Sequence, residues 1–296
     1  MTSTRFTFLI SIISVCLVCL ICLVGFAGCG KDDQNPQADF EPIKPAATVQ
    51  IEYPKDDPTM RDHDKPDLEG DAVRKRSIAT LTEGGFIVSQ GLPTSGHRRG
   101  VAGKLRPTRE IALRLMALNA LFMWASAPEA AVKSEELQAY IKRNNLLDHL
   151  SLAEQEIISL SRTEANKQHA GSVGWRLENM WSLAWALGFE KKPDPMLGQI
   201  PNEVTKAMVM KFMPGLDSSV DDLLKKAKPR SLQEVIQRED IFYCSHNAVR
   251  SAQTGSKTVP DNFHPIRDGG AIHERRHGLT WILSPDVRWD DTDLST

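Results

Sequence analysis

Two groups of residues have the types and spacing that chemistry needs. The first is His273-Glu274-Arg275-Arg276-His277. Two histidines four apart on a helix stand one turn apart and can hold a zinc ion through their imidazoles. The glutamate between them would activate a metal-bound water. Helical spacing puts His273, Glu274, His277 and Trp281 on one side, opposite Ile272, Leu279 and Leu283. Against zinc stand Arg275 and Arg276, whose cations oppose Zn²⁺ beside its ligands. No glutamate follows His277 as a third ligand, and His246, His264, Asp286 and Asp290 serve only if the fold brings them near. A zinc-dependent hydrolase using His273, Glu274 and His277 is therefore the alternative reading. The leading expectation has no catalytic residue, no metal and no cofactor.

The second group surrounds Glu178, in the run Gly174 to Gly188 that holds Trp175, Trp181 and Trp185. Leu177, Trp181, Ala184 and Gly188 recur at three- and four-residue steps, which predicts one buried helix. At about 100° per residue, Glu178 lies roughly 20° around the wheel from Trp185. A carboxylate at the edge of a tryptophan face loses water and needs a cationic or hydrogen-bonding partner, or it protonates. The structural reading pairs it with an arginine of the histidine-containing helix. In that reading Arg275 or Arg276 meets Glu178 or the Asp290/Asp291 tail, because a guanidinium fork suits a carboxylate in a dry setting. The sharper reading makes Glu178 a catalytic acid with a raised pKa. Either way the candidate polar site is Glu178, Glu274, Arg275, Arg276, His277 and Asp290, against an aromatic core of Trp175, Trp181, Trp185 and Trp281.

The elements that must position these groups read as helices. Asp71–Glu83 is closed by Gly84-Gly85, and a short extended piece over 86–89 precedes Gly91-Leu92-Pro93. A basic loop carrying His97-Arg98-Arg99 reads as solvated. Pro107 suits the first turn of a helix to about Ser126, and Ser134 caps one to about Asn144. Ser151-x-x-Glu154 is a capping box for a helix to about His169. The tryptophan helix is stopped by Gly188, and Pro193 and Pro195 prevent its resumption. Pro201 starts a helix ending at Pro214-Gly215, and 217–226 is a short amphipathic one. Ser231-x-x-Glu234 is a second capping box, opening a helix to about Gln253. After a loop over 255–270 the last helix spans 271–283. No alternating strand series occurs, so the fold class is mainly α: a single globular multi-helix domain over 71–296.

Composition narrows the function. Apolar residues make up 41% and charged ones 25%, which is enough for a packed core. A net charge of -2 gives nucleic acid no claim as a partner. No Gly-x-Ser-x-Gly elbow, phosphate loop or dinucleotide fingerprint is present. Cys244 and His246 lie two apart on a helix and point apart, so they form no thiol–imidazole pair. Cys16, Cys19, Cys22 and Cys29 all fall at the N-terminal end, so the domain has no internal disulfide.

That end is apolar from Phe6 to Phe26 and closes with Ala27-Gly28-Cys29. It resembles the signal peptide of a bacterial lipoprotein, with Phe26 where leucine is usual. The resemblance implies cleavage after residue 28 and a lipid on Cys29. An uncleaved signal anchor is the other reading, since the run is long enough to span a bilayer. Both attach the chain to a membrane and put the residues beyond Cys29 outside the cytoplasm, with Arg5 inside. Lys31–Gly70 carries eleven acidic and five basic residues and is rich in proline. Such a segment buries too little to order itself, so residues 29–70 are expected to be a disordered tether.

The domain resembles DUF 4272, a bacterial family of unknown function. The resemblance rests on Arg76-Ser77 with Gly91-Leu92-Pro93, on Trp175-x-x-Glu178-x-x-Trp181 through Gly188, and on Arg230-Ser-Leu-x-Glu234 with Asp240 and Tyr243. It continues through Glu274-Arg275, His277 and Trp281 to Trp289-Asp290. It implies a helical fold and no established activity. The functional expectation is a binding or interaction role at the cell envelope, with a protein or small-molecule partner of unknown identity.

Overall fold

The structure is a computed structural model that describes residues 68–98, 101 and 103–296. The leader, Cys29 and the tether up to residue 67 lie outside the described residues. Ten α-helices are described and no strand. They are α1 (Leu68–Glu83), α2 (Thr108–Ser126), α3 (Ser134–Arg143), α4 (Leu152–Ser159), α5 (Arg162–Gly174), α6 (Arg176–Ala186), α7 (Asn202–Ala207), α8 (Val220–Lys226), α9 (Leu232–Gln253) and α10 (Arg267–Ile282). The first helix thus takes in residues 68–70, which the sequence pattern assigns to the tether. No described helix is long and apolar enough to cross a membrane.

The helices pack in a spatial order that the chain order hides. α9 lies against α1 and α10, α10 against α6, α6 against α2, and α2 against α5. Leu115 and Leu118 of α2, Met180 and Leu183 of α6, Phe242 of α9 and Ile272 and Leu279 of α10 fill the interior between them. Burying each such side chain contributes about 1.5–3 kcal/mol. The α6–α10 crossing is close because Gly278 faces α6: a Cβ there would stand 3.0 Å from the Ser182 Cβ. Ser182 Oγ donates to the Arg275 carbonyl at 2.8 Å, and Asn179 Nδ2 donates to the Glu274 carbonyl at 2.7 Å. These two bonds fix how far α10 can slide along α6.

Local signals account for most of the boundaries. Ser151 and Ser231 each form the full capping box with Glu154 and Glu234. Gly188 ends the tryptophan helix at φ 108°, a conformation that favours glycine. The helix predicted from Ser151 to about His169 is instead two, α4 and α5. Leu160 is extended, and Ser161 with Glu164 forms another capping box that restarts the helix. The segment after Pro201 turns from α7 into a π-helical turn over Met208–Phe212.

The last helix also differs from expectation, beginning at Arg267 rather than Ala271. His264 Nδ1 accepts from the N–H groups of Ile266 and Arg267, and Asp268 Oδ2 accepts from the His264 N–H at 2.9 Å. Capping by side chains thus holds Gly269 and Gly270 helical, although their type argues for a loop.

Candidate functional site

Glu178 and Arg275 meet across the α6–α10 crossing. Arg275 Nε donates to Glu178 Oε2 at 2.8 Å, with the two side chains 0% and 3% exposed. Glu178 Oε1 accepts from the Ile200 N–H at 2.7 Å. The rest of the Arg275 guanidinium donates to the carbonyls of Asp194, Leu197 and Gly198, and its carbon lies 4.7 Å from the Trp181 ring centroid. The pair therefore ties the proline-containing loop after α6 to the interior. Burial pushes the Glu178 carboxyl above the usual glutamate range, and Arg275 and the Ile200 N–H offset only part of that.

A second buried acid, Glu239 of α9, sits on the opposite side of α10. Arg98 grips it with both terminal nitrogens, Thr280 Oγ1 donates to it at 2.9 Å, and Arg276 Nε stands 3.8 Å away. Burial pushes its carboxyl up, but these charges and bonds outweigh burial and leave it below the usual range. Next to it, Arg74 pairs with Asp240 at 2.7 Å. The guanidinium carbons of Arg98, Arg276 and Arg74 lie 4.2, 4.7 and 5.4 Å from the Tyr243 ring centroid. The sequence pattern puts Arg98 in a solvated loop; its side chain is instead buried, because Glu239 is there to receive it. Nothing in the local pattern of 94–106 signals this partner.

The third buried acid is Glu154 of α4. Arg114 of α2 binds both its oxygens at 2.6 and 3.0 Å, and Arg176 Nε adds a contact at 3.2 Å. The Arg114 guanidinium lies 3.9 Å from the Trp289 ring centroid. His277 joins this corner and not a metal site. Its Nε2 must donate to the Trp289 carbonyl, 2.9 Å away, and its ring lies 4.1 Å from the Trp289 indole. Asp290, grouped with these residues from sequence, is exposed on the turn that follows, and Asp291 pairs with Arg288 at the surface.

The zincin-like histidines are thus turned to different neighbours. His273 meets His246 of α9, with Nδ1 and Nε2 3.4 Å apart. His246 Nδ1 in turn stands 2.7 Å from Arg276 Nη1. A guanidinium only donates, so His246 Nδ1 is the acceptor and its proton sits on Nε2. That N–H donates to His273 Nδ1, which leaves the His273 proton on Nε2. The lone pair that His273 would offer a metal on Nδ1 is already taken. No group of three or more His, Cys, Asp or Glu side chains among the described residues is placed to hold a metal ion. Burial, with the Arg276 charge next, holds His246 down to about 3; burial is also the main cause that holds His277 at about 4.

His246, His273 and Glu274 line an open cleft of about 270 Å³ together with Trp175, Arg250 and Gln253. Trp175 is the correction to the aromatic core. Trp181, Trp185 and Trp281 are buried, but Trp175 lies at the junction of α5 and α6 and is only half-buried. Gly270 sets where the covered part sits: a Cβ there would come within 2.9 Å of the Trp175 ring, so the missing side chain seats the indole edge against α10. Cys244, two residues from His246, is buried away from the cleft. Burial, with Asp240 adding to it, pushes its thiol up to about 12. Sequence reasoning assigns no joint role to His246, Arg250 and Gln253; their i, i+4 and i+3 spacing on α9 is the signal that could have found them.

The architecture defines a class: an all-helical domain whose three buried glutamates, Glu154, Glu178 and Glu239, are each gripped by an arginine distant in the chain. Residues 73–292 match the family described as a domain of unknown function, DUF4272. The chain belongs to that family, and the match takes in α6, α9, α10 and the cleft between the last two. No curated protein and no solved structure matches the chain.

Proposed function

We propose that this chain is a binding domain without catalysis, held outside the cytoplasm at a membrane through lipid on Cys29. The observation that carries the first half is that the buried polar groups of the fold are committed to one another. A general acid or base needs a proton it can exchange near neutral pH, and a nucleophile needs an activated form. His246 is held neutral by burial and Arg276, the Cys244 thiol is pushed up to about 12, and Glu178, Glu239 and Glu154 are engaged with arginines. The cleft is left with a set of fixed donors and acceptors beside an indole, which is the composition of a recognition site. The second half is supported by the lipobox-like Ala27-Gly28-Cys29 and the acidic, proline-rich segment behind it.

Mass spectrometry of the mature protein tests the attachment. The expected N-terminus is an acylated Cys29, and Cys29→Ala is expected to release the chain from the membrane fraction. An intact Met1 would replace the lipid anchor with an uncleaved signal anchor. Thermal-shift screening of the full chain against a small-molecule library tests the binding role, with at least one saturable stabiliser expected. Turnover of any such compound, abolished by His277→Ala together with bound zinc, would restore the hydrolase alternative.

A further inference from the structure

The cleft between α9 and α10 carries a specific chemical demand. Arg276 fixes His246, and His246 fixes His273, so His273 presents Nε2–H as a donor. That N–H has no hydrogen-bond partner among the described residues. The adjacent Glu274 presents a carboxylate whose one hydrogen-bond partner among the described residues is Arg176, at 3.5 Å. Arg250 lies at the rim, exposed, with one nitrogen donating to Gln253 Oε1 at 2.8 Å and its other donors unused among the described residues. Trp175 supplies an aromatic wall, seated on the bare backbone of Gly270.

Several ligand classes fit this badly. A metal ion would need lone pairs on His246 Nε2 and His273 Nδ1, but the Arg276 donor forces the proton onto the first and the His246 N–H occupies the second. A simple anion would meet the Glu274 carboxylate. An ammonium group would compete with Arg176, which already faces that carboxylate. A vicinal pair of hydroxyls fits well, since each hydroxyl both donates and accepts. One can take the His273 N–H and give its own proton to Glu274, while a neighbour accepts from Arg250. The C–H face of a sugar ring packs on an indole. At about 270 Å³ the cleft is below the drug-sized range and suits one ring.

We propose that this cleft binds one carbohydrate ring, packed on Trp175 and hydrogen-bonded through its hydroxyls to His273, Glu274 and Arg250. The proposal rests on the reading of the chain as a binding domain and names the ligand class for it.

Trp175 is also the reporter. The other five tryptophans are buried, so the fluorescence that acrylamide quenches belongs mainly to Trp175. The full chain in detergent is titrated with glucose, N-acetylglucosamine or glucuronate at millimolar concentration, with leucine and sulfate as rival probes. At least one sugar is expected to protect the quenchable fraction, and Trp175→Phe is expected to remove that fraction. Arg250→Ala, at an exposed position that leaves the core untouched, is expected to weaken protection about tenfold, the value of one charged hydrogen bond. Protection by leucine or sulfate instead of a sugar overturns the carbohydrate assignment, as does the absence of protection by every probe. The binding reading fails separately: it falls only if the thermal screen of the full chain also finds no stabiliser.

Discussion

Arg275 and Arg276 are neighbours on α10, equally buried, and they do different things. Arg275 faces α6 and spends four of its five donors on Glu178 and three carbonyls of one loop. Arg276 faces α9 and divides its donors between His246 and the carbonyls of Leu294 and Ser295. The first locks the fold. The second sets the proton position in a chain of imidazoles that ends in an open cleft. The acids beside them differ in the same way. Glu178 has one guanidinium and loses to burial, whereas Glu239 has Arg98 and Arg276 and wins against it. A buried ion pair is therefore not one kind of object: at Glu239 two guanidiniums and the Thr280 hydroxyl outweigh burial, and at Glu178 one guanidinium and the Ile200 N–H do not.

The contrast is tested hardest at Arg275. Arg275→Ala removes the cationic donor from Glu178 Oε2 and one donor from each of three loop carbonyls. It is expected to cost about 3–5 kcal/mol in urea unfolding of the domain. Less than about 1 kcal/mol would mean the loop is held by something else.

The two acids give the next largest effect, and it carries a sign. The folded pKa of Glu239 is depressed. Its stabilisation is present above the usual glutamate range and is lost as pH falls through the folded value. The folded pKa of Glu178 is raised, so its contribution is full at low pH and is lost as pH rises through the folded value. At neutral pH Glu239→Gln should therefore destabilise by more than Glu178→Gln, and only Glu239→Gln should flatten the acid limb of the stability curve. Equal losses at pH 7 would erase the distinction between the two sites.

Histidine adds to the acid limb. His246 and His277 are depressed to about 3 and about 4, so each resists protonation in the folded state and costs stability as pH falls below about 6.5. Arg276→Met should raise the His246 pKa in NMR titration while leaving it below about 6.5, since burial stays. No movement would remove Arg276 from control of the cleft. The smallest effect belongs to the cleft itself. Arg250→Ala is expected to change stability by less than about 0.5 kcal/mol, because the residue is exposed and carries no core contact. A larger loss would make the rim part of the scaffold.

Legibility in the sequence depended on distance along the chain. The capping boxes at Ser151 and Ser231, the stop at Gly188 and the 3.6-residue spacing of Leu177, Trp181 and Ala184 all act within one or two turns. They specify an all-helical domain and most of its boundaries. Where two local signals compete, the pattern misleads. Ser161 restarts a helix inside an apparently single run, and His264 caps a helix through two glycines. That Glu178 needs a cationic or hydrogen-bonding partner is foreseeable from desolvation, because a carboxylate beside indoles has few other options. Which arginine, and on which face, is not.

The order of residues along the chain was enough to dictate the helices and the need for buried charges to be neutralised. The partners came only from the packed fold, since Glu178 meets Arg275 across 97 residues and Arg98 meets Glu239 across 141. So did the outward placement of Trp175 and the turning of His273 and His277 to separate neighbours. The physical reason is that hydrogen-bond and packing partners between helices are chosen by where the helices cross. That crossing depends on contacts such as Gly278 against Ser182, which no local window contains.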